Sequence, residues 1–330
     1  MVLPSNNKYV LFLFLDGVGL GSLDPSVNPF ISASTPTLDH LLAGKKLAFE
    51  NSPIETDIST LIGLDAQLGI EGTPQSATGQ ATLVTGINFA QRLGQHYGPK
   101  PNFEIRSFFK DGTKSSEISG KGYPSNDLHF SIFSKLKNQH KKTCLLNAYP
   151  PIYFKSTSSG KRFHSVFPLA ATEAGIRLFD QDDLFAGKAL SADFTGKGWV
   201  EFLKIKNTPL ITPYEAGERM AIISMAYDFS MFEYWESDVL GHKQDLTKAK
   251  LMLERLDQVL TGLLSRWDLA KGIILITSDH GNMEDLSTRK HTHNQVPGLI
   301  IGPAIVRKRF SDKVRSILDI TPFIMDYLLD

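Results

Sequence analysis

The segment Tyr9–Leu15, reading Tyr-Val-Leu-Phe-Leu-Phe-Leu, is apolar at every position and stops at Asp16. A continuous apolar run, unlike an alternating one, suits a central parallel strand covered on both faces. Similar runs occupy residues 142–147, 220–225 together with 229–234, 272–277 and 297–301. Between them lie stretches of helical period. Residues 246–267 place Leu251, Leu253, Leu256, Val259, Leu260, Leu263 and Leu264 mostly at helical spacing, with Lys, Glu, Arg and Asp interleaved. That pattern predicts a surface helix lying on a sheet. Residues 77–85, 131–141 and 317–329 also read as helices, whereas 106–125 lacks a sustained period and 155–161, Lys-Ser-Thr-Ser-Ser-Gly-Lys, reads as flexible. The alternation predicts an α/β fold, a mostly parallel central sheet with helices on both faces. We expect one α/β domain over residues 1–330, with irregular insertions at about 89–125 and 155–211 forming a small cap or lid.

Composition narrows the function classes. Apolar residues make up 42% and charged residues 21%, which suits a soluble globular protein and neither a disordered nor a fibrous one. Lys+Arg and Asp+Glu both number 35, so no global field draws nucleic acid or an anionic membrane, and an anionic ligand must be met by local groups. The single cysteine, Cys144, excludes an intrachain disulfide and a cysteine-rich zinc site, so any metal must use oxygen and nitrogen donors. The N-terminal apolar run is too short to span a membrane and lacks the small-residue cleavage site of a secretory signal, so the expected location is the cytoplasm. Arg307-Lys308-Arg309 predicts a solvated edge rather than a nucleic-acid patch. No heptad or apolar stripe speaks to oligomeric state.

In open parallel sheets, ligands bind beyond the carboxyl ends of the strands, so polar residues just after apolar runs are candidates for one site. Asp16 follows the first run, Asp238 and His242 follow Phe232 to Trp235, and Asp279 and His280 follow the 272–277 run. The loop after Thr277 also carries His291 and His293, so three of the nine histidines fall within it. Asp238 and His242 have the spacing of a helix-face pair, but Gly241 between them points to a loop. Three carboxylates and three imidazoles exceed what one tetrahedral ion requires, so two ions are inferred, with zinc or manganese suiting the donors and magnesium a third candidate. Two cations about 4 Å apart clamp the attacking and leaving oxygens of a phosphoryl displacement.

The nucleophile comes from Gly72-Thr73-Pro74-Gln75-Ser76-Ala77-Thr78, where a Gly and Pro loop enters the 77–85 helix. Ser76 stands at that helix's N-terminus, where free amides and the dipole favour an anion, and a cation beside the hydroxyl makes a separate histidine base unnecessary. Thr73 and Thr78 are weaker candidates. His96 and Arg106 are candidates for substrate phosphate, since an Arg fork matches phosphate oxygens. His40, His129, His140 and His164 have no accompanying motif and read as surface or packing residues.

Leu15-Asp16-Gly17-Val18-Gly19, Gln75-Ser76-Ala77-Thr78-Gly79-Gln80, Asp238-Val239-Leu240-Gly241-His242, Ser278-Asp279-His280-Gly281-Asn282, His291-Thr292-His293-Asn294-Gln295-Val296-Pro297 and the C-terminal Leu318-Asp319-Ile320-Thr321-Pro322 together resemble the alkaline phosphatase superfamily. The resemblance is to its metalloenzyme branch, which holds cofactor-independent phosphoglycerate mutase and phosphopentomutase. It covers roughly residues 9–88 and 221–330. It implies an alkaline-phosphatase-like fold, with Asp16, Ser76, Asp279 and His280 around one divalent ion and Asp238, His242 and His291 around the other. Ser76 is then the residue phosphorylated in a covalent intermediate. His291 is preferred to His293 as a ligand because Val296-Pro297 stands at the family's offset from it, which leaves His293 beside the substrate with His96 and Arg106.

Both mutases carry a sizeable separate domain between the nucleophile half and the metal half, and here only residues 89–211 occupy that place. A mutase has to retain its phosphorylated product behind a water-excluding closure. The expected reaction is therefore hydrolysis of a small-molecule phosphate ester, with a phosphomutase second and diester or sulfate-ester cleavage within the same scheme. The alternative of another class is a metal-stabilised binding module without turnover.

Overall fold

The computed structural model describes residues 8–111 and 130–330. Seven strands form one sheet: β1 (Tyr9–Leu15), β2 (Ile54–Glu55), β3 (Ser59–Leu64), β4 (Thr143–Leu145), β5 (Phe229–Tyr234), β6 (Gly272–Thr277) and β7 (Val296–Ile301), in the order β2-β3-β7-β6-β1-β5-β4. β4, β5, β1 and β6 run parallel, while β7 is antiparallel to both β6 and β3, and β3 to β2. β1 is central and buried along its whole length. Its alternation sends Tyr9, Leu11, Leu13 and Leu15 into one core layer and Val10, Phe12 and Phe14 into the other. The expected α/β fold, mostly parallel with helices on both faces, is the one formed.

The two layers are closed differently. On the first face, the Leu246–Arg266 helix lies against the Pro213–Ser224 helix, and Gly262 and Gly217 stand where a Cβ would strike the partner's backbone. On the second, the Ser76–Thr85 helix is buried at all ten positions. A hydroxyl at its first residue is therefore held by a rigid element rather than a loop.

Several local expectations are corrected. Residues 220–225 belong to the Pro213–Ser224 helix, which a Thr212/Glu215 capping box and Pro213 initiate. A short apolar run does not by itself distinguish strand from buried helix. The weakly periodic 106–125 stretch begins inside the Phe103–Asp111 helix, and residues 112–129, including His129, lie outside the described residues. Residues 155–158 close the Pro151–Ser158 helix instead of forming a flexible piece. The 155–211 stretch, read as irregular, holds further short helices and sends Val166 and Phe167 into one core layer and Phe179, Phe194 and Trp199 into the other. Arg307 is not a solvated edge residue: it is 2% exposed, and its guanidinium donates to Gly302 O, Ser59 O, Asp57 O and Thr60 Oγ1. Those carbonyls at the ends of β7 and β3 need a donor once buried, which a charged side chain with five N–H groups supplies. No described helix is long and apolar enough to cross a membrane.

Candidate metal centre

β5, β1 and β6 are adjacent and parallel, so their carboxyl ends open on one crevice. Asp16 leaves β1, Asp238 sits in the Glu236–Lys243 helix that follows β5, and Asp279 and His280 follow β6. Contrary to the loop that Gly241 suggested, Asp238 and His242 share a helical face and touch, His242 Nε2 lying 3.3 Å from Asp238 Oδ2. Gly241 is there because the Asn282 amide would come within 2.6 Å of a Cβ. Gly17, at φ +64°, turns the chain after Asp16 against Asp238, where a Cβ would meet Oδ1 at 2.6 Å.

The structure brings the seven residues together. Ligand atoms of Asp16, Asp279 and His280 lie within 4.8 Å of one another, as do those of Asp238, His280 and His291. His291 Nε2 is 3.2 Å from His242 Nε2, and the His280 and His291 rings stack at 3.7 Å. Ser76 Oγ shares a hydrogen bond of 3.0 Å with His280 Nε2. Every one of these groups offers oxygen or neutral nitrogen, the donor set of a divalent cation.

Electrostatics supports a cation in this place. Burial, then Asp279, Asp238 and Glu233, push the Asp16 carboxyl well above its ordinary range. Asp279, fully buried, is pushed up to about 7 by burial and by Asp238. Burial also pushes Asp238 up, but hydrogen bonding from His242, the nearby His280 and Asn282 outweigh it and hold Asp238 below its usual value. Burial lowers His280 and His291, which keeps their nitrogens available to a metal, while the Asp238 hydrogen bond raises His242. Asp16 Oδ1 is sealed from solvent with no hydrogen-bond partner among the described residues. Crowded carboxylates and an orphaned oxygen are what a bound cation would neutralise.

A pH dependence follows for the protein stripped of metal. Between about pH 7.5 and 8.5 the lowered histidines are almost wholly neutral in both folded and unfolded chains and contribute little slope. Asp16, Asp279 and Glu233, the last pushed up to about 7 mainly by burial, are all raised above their unfolded values, so each keeps a residual share of its proton when folded where the unfolded carboxylate keeps none. The native state then binds more protons, so stability falls as pH rises. Thermal denaturation in a chelator should show Tm declining over this range, and a flat or rising Tm would remove the crowding account.

Sequence reasoning overlooked the residues that hold the ligands. Gln80 Nε2 donates to Asp279 Oδ2 at 3.1 Å and reaches Asp16 Oδ2 at 3.5 Å; Asn282 Nδ2 donates to Asp238 Oδ1 at 2.7 Å. Glu284, 1% exposed, accepts from Gly19 N at 2.8 Å, Asn282 N at 2.7 Å and Asn294 Nδ2 at 3.0 Å, pinning the two ends of the 278–295 loop to each other and to the loop after β1. Gln80 and Asn282 stand inside the quoted motifs, and Glu233 interrupts an apolar strand, so each left a signal. Glu284 left none.

The three residues expected at the substrate are divided. His293 Nε2 lies 3.5 Å from Thr73 Oγ1, and His96 Nε2 lies 3.3 Å from Ile70 O, both beside the loop leading to Ser76. Burial, with the nearby His293 a smaller contributor, lowers His96. Arg106 is occupied elsewhere: it donates to Pro101 O at 2.7 Å and covers the Phe163 ring at 4.2 Å.

The crevice, with carboxylates and imidazoles from three adjacent strand ends around a helix-borne serine, lies on an alkaline-phosphatase-like α/β fold. The chain resembles the alkaline phosphatase/metalloenzyme superfamily, and residues 215–329 match the profile described as Metalloenzyme superfamily. It is similar to the 2,3-bisphosphoglycerate-independent phosphoglycerate mutase of Acetivibrio thermocellus, at 24% identity over 278 residues, covering 76% of this chain and 50% of that protein. The mutase of the same name from Desulforudis audaxviator is 33% identical over 108 residues, covering 31% of this chain and 21% of the relative. The chain thus spans half or less of the length of these curated relatives. In fold it is similar to the PH0037 protein of Pyrococcus horikoshii (TM-score 0.55, 17% identity, 100% and 98% of the two chains). It is likewise similar to the alkaline phosphatase of the Antarctic bacterium TAB5 (TM-score 0.51, 15% identity, 98% of each chain).

Proposed function

We propose that the protein is a metal-dependent phosphatase that transfers a phosphoryl group from a small-molecule phosphate ester to Ser76 and then to water. The observation that carries this reading is the position of Ser76 Oγ. It stands at the first residue of a buried ten-residue helix, hydrogen-bonded to His280 within the cluster. Two divalent ions, manganese or zinc with magnesium a third candidate, held by Asp16, Ser76, Asp279 and His280 and by Asp238, His242 and His291, would neutralise the phosphoryl oxygens and ease ionisation of the hydroxyl.

The chain's own residues do the rest. The helix N-terminus sets its positive end toward the incoming phosphoryl group. Thr78 N donates to Tyr97 O at 3.0 Å, so the 94–99 loop braces the nucleophile from outside. Gln80, Asn282 and Glu284 hold the acidic groups in place, which reduces the reorganisation that transfer would otherwise require. Ser76 forms an O–P bond as the ester O–P bond breaks; its proton leaves to solvent and the departing alkoxide takes one up. Water then displaces Ser76 and releases orthophosphate. His96 and His293 are proposed to meet the ester at the rim, while Arg106 would have to leave Phe163 to take part.

The named relatives favour one second reading, a phosphomutase. Product analysis separates the two. Purified protein with Mn²⁺ or Zn²⁺ is expected to release orthophosphate from phosphate monoesters. Label from a phosphosugar reappearing on another hydroxyl of the same molecule, with little free phosphate, would replace the phosphatase by a mutase. A metal-bound protein inert toward mono-, di- and sulfate esters would instead be a binding module.

A further inference from the structure

The alternation of β5 sends Phe229 and Met231 into one core layer and Phe232 and Tyr234 into the other. Glu233 falls on the face of Phe229 and Met231, opposite Phe14 in the register with β1 and two residues short of Asp16. A carboxylate therefore occupies a place where the pattern calls for a core side chain. Glu233 is 7% exposed, and among the described residues no hydrogen bond or ion pair ends on its carboxylate. Its backbone is fixed by Asn147, whose Nδ2 donates to Glu233 O at 2.9 Å and whose Oδ1 accepts from Glu233 N at 2.8 Å. In the parallel register Glu233 sits diagonally across from Asp16, on the sheet face that Val10, Phe12 and Phe14 share. Glu233 thus borders the metal cluster without belonging to it.

The facing wall comes from the chain just after β4. Tyr149 N donates to Phe179 O at 2.8 Å, and the Tyr149 and Tyr153 rings lie 4.4 Å apart. Tyr153 Oη is satisfied by His164 Nδ1 at 2.7 Å, and Arg162 lies 4.9 Å over the Tyr153 ring. Tyr149 Oη is different: it is sealed from solvent and, among the described residues, has no hydrogen-bond partner. Tyr149 packs against the same core layer as Phe229 and Met231, whose face Glu233 shares, and follows by two residues the Asn147 that holds the Glu233 backbone. The two groups are therefore neighbours with no hydrogen bond between them. Consistently, after burial itself the Glu233 charge is the largest influence holding the Tyr149 phenol well above its usual value.

A buried hydroxyl and a buried carboxylate, both unbonded and side by side, are costly unless a ligand completes them. The completing group has to donate to the carboxylate and exchange a hydrogen bond with the phenol, and an alcohol hydroxyl does both. A ligand carboxylate would meet the Glu233 charge, and a methylene would leave both groups unpaired.

We propose that Glu233 and Tyr149 form a hydroxyl-binding subsite beside the metal centre, selecting phosphate esters whose alcohol carries a further hydroxyl. This rests on the phosphate-ester reading given above. Both are positioning residues, since they would hold the alcohol part of the ester while Ser76 attacks the phosphorus.

The test compares sn-glycerol 3-phosphate with propyl phosphate, which has the same three carbons and no further hydroxyl. The wild-type holoenzyme is expected to prefer glycerol phosphate in kcat/KM, and Glu233→Gln and Tyr149→Phe should each lower that preference roughly tenfold. A merely structural role would depress both substrates in proportion and leave the ratio intact, which overturns the proposal. So would a wild type indifferent to the two esters, or one preferring phosphoethanolamine. If the wild type with Mn²⁺ or Zn²⁺ cleaves neither ester, the phosphatase reading fails separately and the subsite is judged by calorimetric titration. Glycerol phosphate should then bind at least tenfold more tightly than propyl phosphate, and Glu233→Gln should abolish the difference; equal affinities in the wild type sink the subsite.

Discussion

Ser76→Ala is expected to lower kcat for phosphate monoesters by about 10³-fold or more, because the covalent route loses its only nucleophile. The protein should remain folded and metal-loaded. Ser76 lies at the first turn of a helix whose other nine residues are buried, and six other candidate ligands remain within the cluster. Two measurements bear on this expectation. Metal content by elemental analysis should stay close to the wild-type value, and brief incubation with ³²P-labelled ester followed by acid quench should label the wild type but not the variant. A variant that keeps most of its turnover would show that water attacks the ester directly and that the serine only begins the helix.

Asp279→Asn should have the largest effect on metal and stability together. Asp279 is completely buried, close to Asp238, and its carboxylate accepts from Gln80 Nε2 at 3.1 Å. Asparagine keeps the shape and removes the charge. In a chelator, the variant is expected to melt above the wild type at pH 8, because a repulsive buried charge has gone. With saturating Mn²⁺ or Zn²⁺ the order reverses. A cation that binds only the folded wild type at about 1,000 times its Kd adds about 4 kcal/mol, and the variant forfeits most of it along with activity. Thermal melts of both proteins, with and without metal, decide the matter. A wild type whose Tm ignores both chelator and metal would mean that the carboxylates serve some other purpose.

The parts of the site that were legible in the sequence share a physical origin. Asp16 and Asp279 each stand directly after a continuous apolar run, and a sheet of parallel strands delivers such residues to one edge whatever the intervening chain does. The helix at Ser76 was legible because a Gly and Pro loop precedes a stretch free of proline. What misled was local. Gly241 suggested a loop where close approach of Asn282 is what demands glycine. The 220–225 run has the composition of a strand, but its capping box lies eight residues upstream and its burial repeats at helical spacing. Arg307 carried no mark in the sequence of the four oxygens it would bind, because all four come from residues distant in the chain or from a turn.

By itself, then, the sequence determined the fold class, the identity of the candidate ligands and the order in which the strands deliver them, since periodicity and strand-end chemistry are local properties. Tertiary structure alone decided which strands are neighbours, and therefore that residues 16, 238 and 279 meet. It also decided which polar groups end up buried without partners, Asp16 Oδ1 and Tyr149 Oη among them. The reason is that desolvation depends on what the rest of the chain packs around a group, and no window of sequence contains that information.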